Sequence, residues 1–301
     1  MALNTKEVVT LAETHGLHIK EDSIRFNESG LDFLVAFAKD DVGEDWVLRI
    51  PRRSEVMERN GFENKVLELV HQHVSFQVPV WSVYENDLIA YRTLEGVPAG
   101  TIDHEIQNYV WEMDIENIPE SHFQTLAGVL SELHNIPEEA VRGAGLPVYS
   151  AKEARESMRE RIDKVKERFY VAEHLIERWQ NWLNNDALWP EKTGLMHGDL
   201  HAGHTMIDEK ADVTGLIDWT EAAFTDISND FVFQYKAFGE EALDKVIDYY
   251  REAGGIYWPN MKAHIIELDA AYAVAVAEFA MASGLEEYEK MAEEILGRDQ
   301  D

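Results

Sequence analysis

The chain has 301 residues and carries 58 acidic against 27 basic side chains, a formal net charge of −31 that repels phosphate backbones and anionic lipid headgroups. We therefore expect neither nucleic acid nor membrane as a partner. The chain has no cysteine, which excludes disulfides, a thiol nucleophile and cysteine-ligated zinc, and its 45% hydrophobic residues suffice for a large core.

The first hundred residues are predicted to be rich in β-strands. Two apolar runs, Phe33–Lys39 and residues 46–50, are joined by a polar loop that contains Gly43, a pattern that indicates a hairpin. An apolar stripe with a period near 3.6 predicts a helix over residues 54–74. Further short strands are predicted at residues 23–26, 78–84 and 88–93.

From about residue 101 onward the chain is predicted to be mostly helical. The expected helices are residues 122–134, 151–184, 242–253 and 261–282. Residues 194–219 depart from this pattern, because two short β-like runs, Thr205–Ile207 and residues 213–217, lie there among many His, Asp and Gly residues. The simplest architecture is an α+β fold with a small β-rich lobe over residues 1–95 and a larger helical lobe over residues 96–301.

No targeting or membrane-spanning segment is predicted. Residues 1–10 have no basic stretch followed by an apolar one, so we expect no signal peptide. The longest apolar run, residues 270–277, is far shorter than the roughly 20 residues of a spanning helix. We expect a cytoplasmic protein.

The densest set of candidate catalytic residues lies in the stretch HGDLHAGH, which contains His197, Asp199 and His204. A predicted hairpin follows this stretch and ends at Asp218, so the hairpin can bring Asp218 back beside the loop. Two carboxylates in such an arrangement suit phosphoryl transfer, in which one orients and deprotonates a hydroxyl and the other binds Mg²⁺.

His197-x-Asp199, a further ligand position at 204 and Ile217-Asp218 resemble the catalytic loop and metal-binding Asp of aminoglycoside-phosphotransferase-like kinases. The order of elements along nearly the whole chain is also similar to that family, which implies a two-lobed protein-kinase-like fold. The resemblance implies that Asp199 is the catalytic base and that Asp218 and residue 204 bind Mg²⁺. His197 and Asp230 are expected to support the catalytic loop.

Three features resemble the macrolide 2′-phosphotransferase branch of this family. His204 stands where the wider family has Asn, and the stretches WVLRIPRR (residues 46–53) and SGLDF (residues 29–33) are also similar to the branch. The resemblance implies a kinase that transfers the γ-phosphate of GTP to the 2′-hydroxyl of the desosamine sugar of macrolide antibiotics and so confers resistance. ATP is kept as an alternative donor, and a monomer is expected.

The expected nucleotide site departs from a protein kinase. Only Gly30 stands where a Gly-rich loop would lie, and Ser29 is the candidate hydrogen-bond donor to a phosphate there. Arg49 takes the third-strand position of the usual Lys, and its guanidinium can bind phosphate with two parallel hydrogen bonds. Glu63 is its predicted ion-pair partner. The residues expected opposite the nucleotide base are Tyr91, Arg92 and Thr93.

On the acceptor side, an ammonium beside the reacting hydroxyl fits an acidic cleft. Tyr272 and Phe279, on a predicted late helix, are candidates for an apolar wall, although aromatic residues at helical spacing are more often core.

Two alternatives stay open. An aminoglycoside or small-metabolite kinase of the same fold would exploit the negative charge more fully, and the residues at 49 and 204 are also compatible with a non-catalytic kinase-like binding module.

Overall fold

The computed structural model describes residues 3–27, 32–53, 55–103 and 108–297, and the chain divides into two compact units. The first unit comprises residues 1–113 and 202–220, and the second comprises residues 114–201 and 221–301. The first unit is thus larger than the predicted lobe of residues 1–95. It takes up residues 96–113 and the hairpin that follows the HGDLHAGH stretch.

The described strands in chain order are β1 (Arg25–Asn27), β2 (Phe33–Lys39), β3 (Asp45–Pro51), β4 (Trp81–Glu85), β5 (Leu88–Arg92), β6 (Val97–Pro98), β7 (Gly100–Asp103), β8 (Asn108–Trp111), β9 (Gly194–Met196), β10 (Thr205–Ile207), β11 (Val213–Leu216) and β12 (Ala223–Thr225). The described α-helices are α1 (Thr5–Thr14), α2 (Glu55–His71), α3 (Glu120–His134), α4 (Glu138–Gly143), α5 (Ala151–Arg168), α6 (Glu173–Asn184), α7 (Asn229–Glu252), α8 (Met261–Ala270), α9 (Tyr272–Ser283) and α10 (Glu286–Ile295). None of the helices in the described ranges has the length and apolar character to cross a membrane.

The first unit is built on a five-stranded antiparallel sheet in the order β1-β2-β3-β5-β4. Because side chains alternate across a strand, one face of the sheet packs on α1 and the other on α2. The face toward α1 carries Leu34, Ala36, Leu48 and Ala90. The opposite face carries Phe33, Val47, Ile89 and Tyr91, and it also carries Arg49, which pairs with Val35 and Ile89 in register.

The predicted hairpin of β2 and β3 is confirmed, and its register runs from Phe33 opposite Pro51 to Lys39 opposite Asp45. Helix α2 lies within the predicted range. The strand predicted over residues 78–84 begins only at Trp81, because Pro79 has no backbone N–H to give to a sheet. The strand predicted over residues 23–26 is shifted toward the C-terminus, since Glu21–Ser23 forms a 3₁₀ turn.

The prediction that the chain is mostly helical from residue 101 onward was wrong for residues 101–103 and 108–111. Strands β7 and β8 pair antiparallel with each other, and β6 pairs with β10, with Met206 opposite Pro98 and Ile207 opposite Val97. These strands are two to four residues long, so their alternation is too short to be distinguished from a loop in the sequence.

The second unit is mostly helical, and its core is a cluster of buried residues from α5, α6, α9 and α10 that includes Trp179, Trp182 and Val274. The helix predicted over residues 151–184 is two helices, because Phe169 has an extended backbone and is buried in that core. The helix predicted over residues 261–282 is likewise divided, at Ala271. Helix α7 begins at Asn229, well before the predicted residue 242, and it bends at Gly239, which has a φ of 82°.

Candidate active site

The loop that follows β9 is held by a buried carboxylate from helix α7. Asp230 accepts the backbone N–H of His197 at 2.7 Å and the backbone N–H of Gly198 at 2.8 Å. The next residue toward the N-terminus, Asn229, donates its side-chain amide to the carbonyl of Gly198 at 2.5 Å. The start of α7 therefore fixes the backbone immediately before Asp199.

Gly198 is required by this arrangement. Its φ is 88°, and a Cβ at this position would collide with the backbone carbonyl of Glu221. His197, directly before it, is fully buried, and its Nδ1 accepts the backbone N–H of Asp199 at 3.3 Å. Leu200 is also buried, whereas Asp199 between them is exposed. The loop is thus anchored on both sides of a carboxylate that a ligand can reach.

Asp230 is itself part of a buried polar chain that the sequence did not reveal. His134 Nε2 lies 3.0 Å from its carboxylate, and His134 Nδ1 lies 2.8 Å from the hydroxyl of Tyr250. Burial raises the pKa of Asp230, but the hydrogen bonds from His134 and Gly198 outweigh it, so the net pKa is lowered. Asp230 therefore stays ionised. His134 ends the predicted helix of residues 122–134, but nothing in the sequence links it to residue 230.

The predicted pair of Arg49 and Glu63 is present in the first unit. Arg49 Nη1 donates to both carboxylate oxygens of Glu63, at 2.8 and 3.0 Å, and the two side chains are 13% and 2% exposed. The guanidinium also lies 4.4 Å from the centre of the Phe33 ring. Burial raises the pKa of Glu63, Arg49 opposes that rise, and the nearby charge of Asp218 adds to it. The pair therefore lies close enough to Asp218 for the charge of Asp218 to act on Glu63.

The hairpin of β10 and β11 brings His204 and Asp218 together. Ile217 donates its backbone N–H to the carbonyl of His204 at 3.0 Å, and His204 Nε2 lies 3.7 Å from Asp218 Oδ2. Asp218 has a φ of 64°, an uncommon conformation that Asp tolerates better than most residues, and Thr220 donates its hydroxyl to its Oδ1 at 2.9 Å. The Asp218 side chain is 43% exposed.

This donor set fits a divalent cation in part. The Asp218 carboxylate is the hard oxygen ligand that Mg²⁺ prefers, whereas the His204 imidazole is a nitrogen ligand that Mg²⁺ accepts less readily. Asp218 is therefore the stronger candidate ligand. His204 is placed to coordinate the ion weakly or to hydrogen-bond an oxygen of a ligand.

The other residues predicted to contact the nucleotide differ in where the structure places them. Ser29 lies outside the described residues. Tyr91 is buried on the same sheet face as Arg49, and burial raises its pKa to about 12. The side chain of Arg92 lies on the opposite face, 2.8 Å from Glu44 and 4.9 Å from the centre of the Trp46 ring. Thr93 gives its backbone N–H to Asp45.

A cavity of about 820 Å³ lies in the second unit beside Gly198. Its lining combines carboxylates with an apolar wall to which Met158 and Trp189 contribute. The carboxylates are Glu153, Glu156, Glu160, Glu221 and Asp226. The sequence did not indicate that α5, which supplies three of them, faces the loop.

Tyr272 and Phe279 do not line this cavity, although both were candidates for the acceptor wall. They are 52% and 53% exposed, so neither belongs to the core. Lys236 lies over the ring of Tyr272 at 3.9 Å, and Phe279 packs edge-on against Tyr288. Ala275 is the residue of helix α9 that lines the cavity.

A larger cavity of about 1010 Å³ lies elsewhere in the second unit and shares only Trp189 and Glu153 with the first one. None of the predicted catalytic residues lines it.

Comparison with known proteins gives consistent matches over nearly the whole chain. The family model described as "Phosphotransferase enzyme family" matches residues 23–264. The structure of macrolide 2′-phosphotransferase MphH from Brachybacterium faecium, an apoenzyme, superposes with a TM-score of 0.92 at 32% identity, covering 99% of each chain. A macrolide 2′-phosphotransferase type I superposes with a TM-score of 0.87 at 36% identity over 98% of each chain. An uncharacterized protein of Bacillus subtilis, YcbJ, is 41% identical over 98% of both chains.

Proposed function

This chain belongs to the phosphotransferase enzyme family and has its kinase-like fold, and from that premise we propose that it is a macrolide 2′-phosphotransferase. The proposed reaction transfers the γ-phosphate of GTP to the 2′-hydroxyl of desosamine and so inactivates the antibiotic. The observation that carries the proposal is the anchored Asp199 loop beside an acidic cavity of about 820 Å³. The two macrolide kinases with this fold support the choice of acceptor.

The acceptor hydroxyl is assigned to Asp199. Its carboxylate orients the hydroxyl toward the γ-phosphorus and takes its proton as the new O–P bond forms. The bond between the γ-phosphorus and the bridging oxygen breaks at the same time, and GDP leaves. General base catalysis of this kind contributes about 100- to 10,000-fold to a rate, and alignment of the reacting groups supplies much of the rest.

The phosphates are assigned to the first unit. Arg49, held in place by Glu63, donates to phosphate oxygens, and Asp218 with His204 would hold Mg²⁺. When bound there, Mg²⁺ would neutralise charge on the transferring phosphate. A cytoplasmic location suits a reaction that consumes a nucleoside triphosphate.

A panel of acceptors tests the proposal. GDP release from GTP is measured with erythromycin, with kanamycin and with no acceptor, and ATP is added in competition to compare the two donors. We expect release with erythromycin alone. Release with kanamycin alone would identify an aminoglycoside kinase instead.

Two variants serve as controls for catalysis. Asp199→Ala and Asp218→Asn should abolish GDP release while both retain erythromycin binding, measured by calorimetry. If both variants release GDP at the unmodified rate, the assigned roles are wrong. If the unmodified chain binds erythromycin and never releases GDP, a non-catalytic binding module is the better description.

A further inference from the structure

The cavity beside Gly198 contains one carboxylate that differs from the rest. Glu153, Glu156, Glu160 and Glu221 are exposed, so water and salt screen their charges. The side chain of Asp226 is only 10% exposed. A charge in such a position acts on a bound ligand through a medium of lower polarity and is screened far less.

Asp226 is also locked in place by neighbouring donors. Its Oδ1 accepts the hydroxyl of Ser228 at 2.7 Å and the backbone N–H of Ser228 at 3.1 Å, and its Oδ2 lies 2.7 Å from His264 Nε2. A carboxylate offers about four acceptor positions, so one remains for a donor that enters the cavity. Burial raises the pKa of Asp226, and the hydrogen bonds from His264 and Ser228 oppose that rise.

The protonation of His264 follows from its other neighbour. Trp182 Nε1 lies 3.0 Å from His264 Nδ1, and an indole N–H can only donate. His264 Nδ1 must therefore carry a lone pair, and the ring proton sits on Nε2, directed at Asp226. The imidazole is neutral in this arrangement, so it leaves the negative charge of Asp226 uncompensated.

Among the described residues that line the cavity, no cation is left to neutralise this charge. Arg161 is the basic residue that lines the cavity, and it is bound to both carboxylate oxygens of Glu278, at 2.6 to 3.0 Å. The lining also includes apolar side chains, among them Met158, Trp189 and Leu268. The cavity therefore favours a ligand that combines one cationic N–H with a large apolar body.

We infer that Asp226 is the residue that binds the ammonium group of the acceptor, and that His264 and Trp182 are positioning residues that keep its carboxylate charged and oriented. The inference rests on the proposed function for the identity of the acceptor, in which a protonated tertiary amine adjoins the reacting hydroxyl. Because Gly198 lines the same cavity, this contact would place that hydroxyl near Asp199.

Direct binding tests the inference without turnover. Calorimetry compares erythromycin with a derivative whose sugar amine has been converted to a neutral amide, and no nucleotide is present. The unmodified chain should bind erythromycin at least tenfold more tightly. Asp226→Asn should remove this preference by weakening erythromycin binding at least tenfold and leaving the affinity for the amide within twofold.

Two further variants separate the buried charge from general acidity. Glu160→Gln, which removes an exposed charge from the same cavity, should weaken erythromycin binding about twofold. Asp163→Asn, on α5 but outside the cavity lining, is the matched control and should bind as the unmodified chain does. An effect of Glu160→Gln as large as that of Asp226→Asn would show that bulk acidity, and not Asp226, selects the cation.

Trp182→Phe keeps an aromatic ring but removes the indole N–H. Without that donor, His264 can shift its proton to Nδ1, so we expect a two- to fivefold loss for erythromycin and none for the neutral amide. This variant also decides the matter if Asp226→Asn does not fold. An equal loss for both compounds would indicate a merely structural role and overturn the assignment.

The inference and the proposed function can fail separately. If the unmodified chain binds both compounds equally, or binds neither, the inference is wrong whatever is phosphorylated. If erythromycin is bound in the expected manner and never phosphorylated, the inference stands and the proposed reaction fails.

Discussion

Asp230 is the residue on which the catalytic loop depends most. One carboxylate serves two consecutive backbone N–H groups and His134, all of them in the second unit. The side chains of Asp230 and His134 are both fully buried. Removal of the charge would leave buried donors with a weaker partner, and the cost would fall on the segment that presents Asp199.

We predict that Asp230→Asn lowers the free energy of unfolding by about 1–3 kcal/mol, the range for buried hydrogen-bond donors that lose a full partner. Urea denaturation checks this value, and kcat should fall at least tenfold because Asp199 loses its fixed position. Asp163→Asn, an exposed carboxylate on α5, is the control and should change stability by less than 0.5 kcal/mol. A stable but inactive Asp230→Asn would contradict the structural role.

The same carboxylate predicts how stability depends on pH. Asp230 has a pKa below the ordinary 3.8, so it contributes stability that is fully present above that value. The contribution is lost as the pH falls from about 3.8 through the lower pKa of the folded chain. Urea unfolding measured from pH 6 to pH 2 should show this loss, and Asp230→Asn should flatten the curve. An unchanged slope in the variant would refute the assignment.

At the scale of elements, the link between helix α2 and the sheet rests on Arg49 and Glu63. Arg49 lies on the same face of β3 as Val47, and that face packs against α2. The pair is buried, so the loss of one partner is more harmful than the loss of both.

We therefore predict that Arg49→Ala destabilises the chain by about 3–5 kcal/mol, because Glu63 is left as an unpaired buried charge. The double variant Arg49→Met with Glu63→Leu should recover most of this loss, since it replaces the pair with apolar side chains. Thermal and urea unfolding of the three chains give the comparison. The double variant should still fail to turn over GTP. If the double variant is instead destabilised by the sum of the two single losses, Arg49 and Glu63 are not coupled in this way.

Elements with a clear period and the short strand β10 could be predicted from the sequence, but the first half of α7 was missed. The hairpin of β2 and β3 and helix α2 have clear periods, whereas β6, β7 and β8 are too short to show one. The predicted helices divide at Phe169 and Ala271, and neither position has a helix-breaking residue that the sequence could have shown. The first division is decided by the core contacts of Phe169.

The candidate site was predicted from the sequence where its residues are close along the chain. His197, Asp199, His204 and Asp218 lie within 22 residues. His134 and His264 act on Asp230 and Asp226 from other helices, 96 and 38 residues away. Spacing cannot reveal such contacts without the fold, and the same reason hid the acidic contribution of α5 to the cavity.

At the scale of the whole molecule, the net charge of −31 acts differently on the two proposed substrates. It repels a polyanionic nucleotide, so Arg49 and a divalent cation have to offset it locally. It attracts a cationic acceptor toward the cavity. Most of the 58 acidic residues act on substrates only through this long-range field, which salt screens.

We predict opposite salt dependences for the two substrates. Between about 0.02 and 0.5 M salt, KM for erythromycin should rise several-fold as attraction is screened, and KM for GTP should fall as repulsion is screened. Steady-state kinetics at fixed free Mg²⁺ give both values, with the neutral amide derivative as the control that salt should affect little. A parallel change for both substrates would refute the long-range explanation.

The identity of the reaction product tests the central claim most directly. Erythromycin incubated with the chain, GTP and Mg²⁺ should gain the mass of one phosphoryl group, and phosphorus NMR should place that group on the 2′-oxygen of desosamine. Asp199→Ala under the same conditions should leave the mass unchanged. If erythromycin and several other macrolides all stay unmodified after incubation with the folded chain, the proposed function is contradicted.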